Sequence, residues 1–113
     1  QGNKYKLTTH QVFFFNVWDI KRQQFLEFAD FFITKGGLGL RHVPILTTNH
    51  LLETDIPGYV KMATAESQIA KIYREGIVIR PMKEIYDRDI NGLVRNRISF
   101  KVVSPEFLLK YDE

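Results

Sequence analysis

Three short stretches of this chain set residues that can do chemistry beside residues that can shape a binding surface. Phe15-Asn16-Val17-Trp18-Asp19-Ile20 puts a broad aromatic face next to a carboxylate. Glu75-Gly76-Ile77-Val78-Ile79-Arg80 opens an apolar run with a carboxylate, and Ser99-Phe100-Lys101-Val102-Val103-Ser104 carries a lysine inside an apolar run. The trio suits a nucleotide site. An aromatic ring stacks on a base for roughly 1–3 kcal/mol, a carboxylate holds hydrated Mg²⁺ or a ribose hydroxyl, and a lysine neutralises a phosphate. Each part also has a plainer role. Trp18 and the phenylalanines are of the type that builds cores, Glu75 at a strand start can be solvated, and Lys101 can lay its stem on an edge strand with its ammonium in water. His10, His42 and His50 lack metal-ligand spacing and carboxylate neighbours, so they read as structural or surface residues. Arg88, Arg95 and Arg97 form either a solvated hairpin face or a path for a polyanion. Residues 71–101 hold eight basic against four acidic side chains, a local +4 that exceeds the +3 of the whole chain.

These residues must be positioned by a small scaffold. With 113 residues and 13.3 kDa, the chain has length for one core. Its 44% hydrophobic and 26% charged residues exclude disordered, collagen-like and coiled-coil classes. The absence of cysteine removes disulfides, thiolate metal cages and thiol nucleophiles, and it suits a reducing, cytoplasmic setting. The apolar stretch from Gln11 to Phe32 is broken by Asp19, Lys21, Arg22, Glu27 and Asp30, which predicts neither a membrane span nor a signal peptide. The chain opens on Gln1 within a polar run, as a piece of a longer protein would.

Bulky and β-branched residues predict a strand over Gln11–Trp18. Phe25, Phe28, Ala29, Phe32 and Ile33 recur at helical spacing and stop at Gly36-Gly37, which predicts an amphipathic helix. A short strand is expected over Val43–Leu46, and helices from Thr47 or Thr48 to Glu53 and from Pro57 to about Ser67. Strands over Tyr73–Arg80 and Arg97–Ser104 are joined through Asn91-Gly92, and Pro105 opens a last helical turn or two over Glu106–Lys110. The pattern is α+β: a mostly antiparallel sheet with flanking helices.

The three stretches resemble a known set of motifs in their order and spacing. Glu75 to Arg80 looks like motif IV of the covalent nucleotidyltransferases, Ser99 to Ser104 looks like motif V, and Asn16 to Ile20 is similar to motif IIIa. That superfamily holds DNA ligases, RNA ligases and capping enzymes. Within it, Gln1-Gly2-Asn3-Lys4-Tyr5-Lys6-Leu7 resembles the segment after the Gly-Glu of motif III in RNA ligases, and Leu40-Arg41-His42-Val43-Pro44 resembles one of their inter-motif stretches. The resemblance implies the covalent nucleotidyltransferase (ATP-dependent ligase) fold. It also implies an ATP-dependent RNA ligase that seals an RNA 3′-hydroxyl to a 5′-phosphate through lysyl-AMP and RNA-adenylate, with ATP and Mg²⁺ as cofactors. RNA and the rest of the ligase chain are the implied partners, and no membrane is.

Carried over residue by residue, the resemblance gives Trp18 adenine stacking and Asp19 the local geometry. Glu75 takes the catalytic Mg²⁺ through water, Lys101 the nucleotide phosphate, and Arg80 stands where many members have lysine. Gln1 matches a glutamine near the family's active site, and Gln1, Arg95 and Arg97 are the expected RNA contacts. Val103 replaces the second basic residue of the family's Lys-x-Lys form of motif V, and Glu106 stands at a position that is often basic. No Lys-x-Asp-Gly occurs in the 113 residues, so the nucleophile that forms lysyl-AMP is missing. The whole chain, residues 1–113, then corresponds to the C-terminal portion of the nucleotidyltransferase domain, without motif I. The alternative is a non-catalytic RNA-binding or regulatory module that kept the fold and lost the nucleophile.

Overall fold

A computed structural model of the chain describes residues 3–87 and 96–111, with Asp87 and Asn96 described through their backbone. Nine elements follow in order: β1 (Trp18–Asp19), β2 (Gln24–Phe25), α1 (Phe28–Gly37), α2 (Ile56–Ala63), β3 (Gly76–Ile79), β4 (Tyr86–Asp87), β5 (Asn96–Arg97), β6 (Phe100–Val103) and α3 (Pro105–Tyr111). Every pairing between these strands is antiparallel, β1 with β2, β3 with β6 and β4 with β5. The class is α+β, as the residue pattern predicts. One isolated parallel bridge joins Phe14 to His42.

The chain divides into two compact units, interleaved along the sequence. The first takes residues 3–10, 46–79 and 100–111. Its core is Tyr59, Ala63 and Ile77, with Met62, Ile79 and Val102 packed against them. The helix α2 starts because the Asp55 carboxylate accepts from the Gly58 amide at 3.0 Å and Pro57 occupies the first turn, where a missing N–H costs nothing. Strands β3 and β6 pair Gly76 with Val103, Ile77 with Val102, Val78 with Lys101 and Ile79 with Phe100. Side chains alternate across a strand, so Ile77 and Val102 face the α2 core while Val78 and Lys101 take the opposite face. A Cβ on residue 76 would run into the Val102 carbonyl oxygen, so glycine is what lets β6 approach there. Beyond β6, the fully buried Ser104 accepts from the Phe107 amide at 3.3 Å and starts α3, whose Phe107 lies against the Tyr5 ring.

The second unit takes residues 11–45, 80–87 and 96–99. In the β1–β2 hairpin Trp18 stands opposite Phe25 and Asp19 opposite Gln24. The Asp19 carboxylate accepts from the Lys21 and Arg22 amides at 3.0 and 3.1 Å, and Gln23 completes the turn with φ 54°. The helix α1 buries Phe31, and Phe32 packs on the His42 ring. In the β4–β5 pair Tyr86 stands opposite Arg97 and Asp87 opposite Asn96.

Four local expectations are not met in full. Gln11–Trp18 is not a continuous strand: Phe14 finds backbone partners in Arg41 and Val43, the Val17 carbonyl accepts from the Leu26 amide at 2.9 Å, and the ladder begins at Trp18. Aromatic content favours a half-buried surface, but a strand also needs a neighbour for its N–H and C=O groups. Residues 48–53 form no helix, because Leu51 and Leu52 stay exposed and the Glu53 amide donates to the Tyr59 hydroxyl at 2.8 Å. Val43–Leu46 likewise shows no strand beyond the Phe14–His42 bridge. Arg97–Ser104 is split into β5 and β6, and the Asn91-Gly92 turn lies outside the described residues. No helix among the described residues is long and apolar enough to cross a membrane.

Candidate functional site

In the first unit the sheet register brings two of the expected residues together. The Lys101 ammonium donates to Glu75 Oε1 at 2.7 Å, with the two side chains 57% and 49% exposed. Lys101 is placed by its ladder position opposite Val78. Glu75 is held from both sides of its backbone: its amide donates to the Tyr5 hydroxyl at 3.4 Å, and its carbonyl accepts from the Ser104 amide at 2.7 Å. An ion pair this open to water contributes little to stability and is readily exchanged for a ligand contact. Lys101 is therefore neither buried nor isolated, and its ammonium is available to an anion.

Among the described residues no group of three or more His, Asp or Glu side chains could hold a metal ion. As one exposed carboxylate, Glu75 fits the way Mg²⁺ is usually held, by one or two carboxylates, several waters and the phosphates of a substrate.

In the second unit Trp18 is 41% exposed, with its ring packed against Phe25 at 4.9 Å between centroids and 76° between planes. One aromatic surface is thus anchored and open to solvent. Asp19 is engaged in closing its own turn. Just before this hairpin, the Asn16 side-chain oxygen accepts from Arg80 Nη1 and from Arg97 Nη1, both at 2.8 Å. Arg97 also makes a two-pronged pair with Glu84, Nε to Oε2 at 2.8 Å and Nη2 to Oε1 at 2.5 Å, with side chains only 15% and 10% exposed. Its guanidinium lies over the Phe25 ring at 4.2 Å.

Arg80 donates to the Phe15 carbonyl at 3.3 Å and to the Ser99 hydroxyl at 3.4 Å, and it lies over the Phe15 ring at 5.7 Å. Burial, and then the neighbouring Arg97 charge, push the Arg80 guanidinium below the usual arginine range, while Glu84 pulls it back. Arginine stays charged in proteins, so the consequence is a local positive surplus: two guanidiniums share one carboxylate.

The structure thus groups Glu75 with Lys101 in one unit, and Trp18, Asp19, Arg80 and Arg97 in the other. Gln1 and Arg95, like Arg88, lie outside the described residues. Of the histidines, His42 packs on Phe32 and His50 shares a hydrogen bond with the Tyr59 hydroxyl at 2.7 Å. Sequence reasoning missed Asn16 as a shared acceptor, Glu84 as the Arg97 partner and Phe25 as the support of Trp18. Glu84 and Arg97 flank the Asn91-Gly92 pair in the sequence, and opposite charges on either side of an expected turn were the available signal.

Residues 2–103 match the RNA ligase family, a span that includes the first two stretches and the third as far as Val103. The chain belongs to the RNA ligase family. Its structure is similar to that of a lysine-to-alanine mutant of the Naegleria gruberi RNA ligase with ATP and Mn, at a TM-score of 0.78 and 27% identity. It is also similar to the Naegleria gruberi RNA ligase with pyrophosphate, at a TM-score of 0.72 and 27% identity. In both cases the likeness covers 99% of this chain and 31% of the ligase chain. No curated protein matches the chain. The α+β arrangement described above is therefore that of a segment of an RNA ligase nucleotidyltransferase fold.

Proposed function

We propose that this chain is the C-terminal portion of the nucleotidyltransferase domain of an ATP-dependent RNA ligase, without motif I. The parent enzyme joins an RNA 3′-hydroxyl to a 5′-phosphate through lysyl-AMP and RNA-adenylate, and this segment supplies nucleotide contacts rather than the nucleophile. The observation that carries the reading is the Lys101–Glu75 pair, 2.7 Å long and open to solvent, held by the β3–β6 register in a chain of the RNA ligase family. A Naegleria gruberi ligase similar to it is known with ATP and Mn, which supports ATP and a divalent cation as its cofactors.

Each residue has a task in this reading. Lys101 neutralises a nucleotide phosphate, Glu75 holds Mg²⁺ through water, Trp18 stacks on adenine, Asp19 keeps the hairpin turn closed beneath it, and Arg80 offers its surplus charge to the nucleotide. The metal supplies charge neutralisation on the phosphates. RNA and the rest of the ligase chain are the partners, with Gln1 and Arg95 facing RNA, and the lack of cysteine suits the cytoplasm. The test is adenylylation of the parent ligase with α-labelled ATP. Lys101→Ala and Glu75→Ala should each cut AMP-adduct formation by well over tenfold, or more than roughly 1.4 kcal/mol of transition-state stabilisation. Near-normal adduct formation in both variants would make the pair a surface ion pair and nothing more.

A further inference from the structure

Arg97 has three of its guanidinium nitrogens engaged inside its own unit, by Glu84 and Asn16, and is largely buried. What it touches next is an aromatic face. The two-pronged contact with Glu84 fixes the plane of the guanidinium, and the Asn16 oxygen fixes its remaining prong, so the fork has little freedom to turn. The guanidinium carbon lies 4.2 Å from the centre of the Phe25 ring, and Phe25 meets Trp18 at 4.9 Å between centroids. Phe25 and Trp18 are also the paired residues of a ladder only two residues long, which by itself does little to hold two large rings in one orientation.

We infer that Arg97 is a positioning residue for Trp18: with Glu84 and Asn16 it clamps the Phe25 ring, and Phe25 holds the indole in place. The inference rests on, and deepens, the reading in which Trp18 stacks on adenine. It gives Arg97 a task other than contact with RNA. The contacts run from β5 through β2 to β1, so the β4–β5 pair and the β1–β2 hairpin are joined by a cation over one ring and that ring edge-to-face with the next. Lysine cannot replace Arg97 here. Its ammonium is a compact charge that cannot grip both Glu84 oxygens and still reach over the ring.

Trp18 is the sole tryptophan of the chain, so its fluorescence reports on this ring alone. The experiment measures anisotropy and acrylamide quenching of Trp18 in the ligand-free 113-residue chain, for the unsubstituted protein and for Arg97→Lys and Phe25→Leu, with far-ultraviolet circular dichroism recorded alongside. With secondary structure retained, both substitutions should lower the anisotropy and raise acrylamide quenching about twofold, because the indole loses its support. An unchanged Trp18 signal in Arg97→Lys overturns the inference, whether or not Phe25→Leu loosens the ring. Should Arg97→Lys lose its secondary structure, Glu84→Gln, which weakens the grip on Arg97 while keeping its size, is read in the same way, and an unchanged signal there overturns the inference equally. Addition of MgATP to the unsubstituted chain tests the stacking reading separately. Absence of any Trp18 response removes adenine stacking while leaving the ring-order result intact, and a response that Arg97→Lys weakens supports both.

Discussion

Lys101 and Glu75 sit where their loss should cost the fold little, which is what separates a ligand-contacting role from a structural one. Each is about half exposed, and an exposed ion pair contributes about 0–1 kcal/mol to stability. Lys101→Ala should therefore leave the thermal midpoint of this chain within a few degrees of its original value, measured by circular dichroism, while adenylylation by the parent falls. A large loss of stability would mean that the pair is a fold element. The arginines divide in the opposite way. Arg97 is held by Glu84 and Asn16, so Arg97→Ala should leave the salt dependence of RNA affinity of the parent unchanged. Arg95→Ala should flatten the log–log slope by roughly 0.7 to 0.9 if that residue touches the RNA backbone. Filter binding across a salt series distinguishes the two, and a flattened slope in Arg97→Ala would return that residue to the RNA path. The residue types of the site were legible in the three stretches, because Lys101 within an apolar run and Glu75 at its opening are conspicuous locally. The partner of Arg97 was not, since Glu84 lies thirteen positions away and only a paired β4 and β5 bring them together.

The elements that hold this chemistry are short, and their weak points are single residues. Gly76 stands where a methyl group would press into the Val102 carbonyl, so Gly76→Ala must push β3 and β6 apart or bend one of them. Forcing atoms into a packed site costs about 1–3 kcal/mol. Denaturant unfolding of Gly76→Ala should show a loss of that size, and an unchanged midpoint would mean that the strands are not so closely apposed. Ser104 is a milder case. Its hydroxyl caps α3 through the Phe107 amide, and Ser104→Ala should cost about 1 kcal/mol by the same measurement. Helices α1, α2 and α3 and strands β3 and β6 were legible because apolar spacing, Pro57, Pro105 and the Gly36-Gly37 stop act within a few residues. The expected strand over Gln11–Trp18 and the helix over Thr48–Glu53 were misjudged for a shared reason. Propensity describes what a segment can do alone, whereas a strand requires a neighbour and an amphipathic helix requires something to bury against.

At the scale of the whole molecule, length and composition bound how much core can form, and the chain forms two compact units built from interleaved segments. Counting residues shows how much surface can be buried, but not that the chain returns to each unit more than once. The chain covers 31% of each Naegleria gruberi ligase chain it resembles, and its 113 residues hold no Lys-x-Asp-Gly. In the proposed function the segment provides nucleotide contacts, and the nucleophile belongs to a part of the ligase outside it. The direct test is covalent labelling. The 113-residue chain and a longer ligase chain that carries both this segment and a Lys-x-Asp-Gly lysine are each incubated with α-labelled ATP and Mg²⁺ and separated by denaturing electrophoresis. The account predicts label on the longer chain and none on the short one, and a labelled band at 13.3 kDa would contradict it.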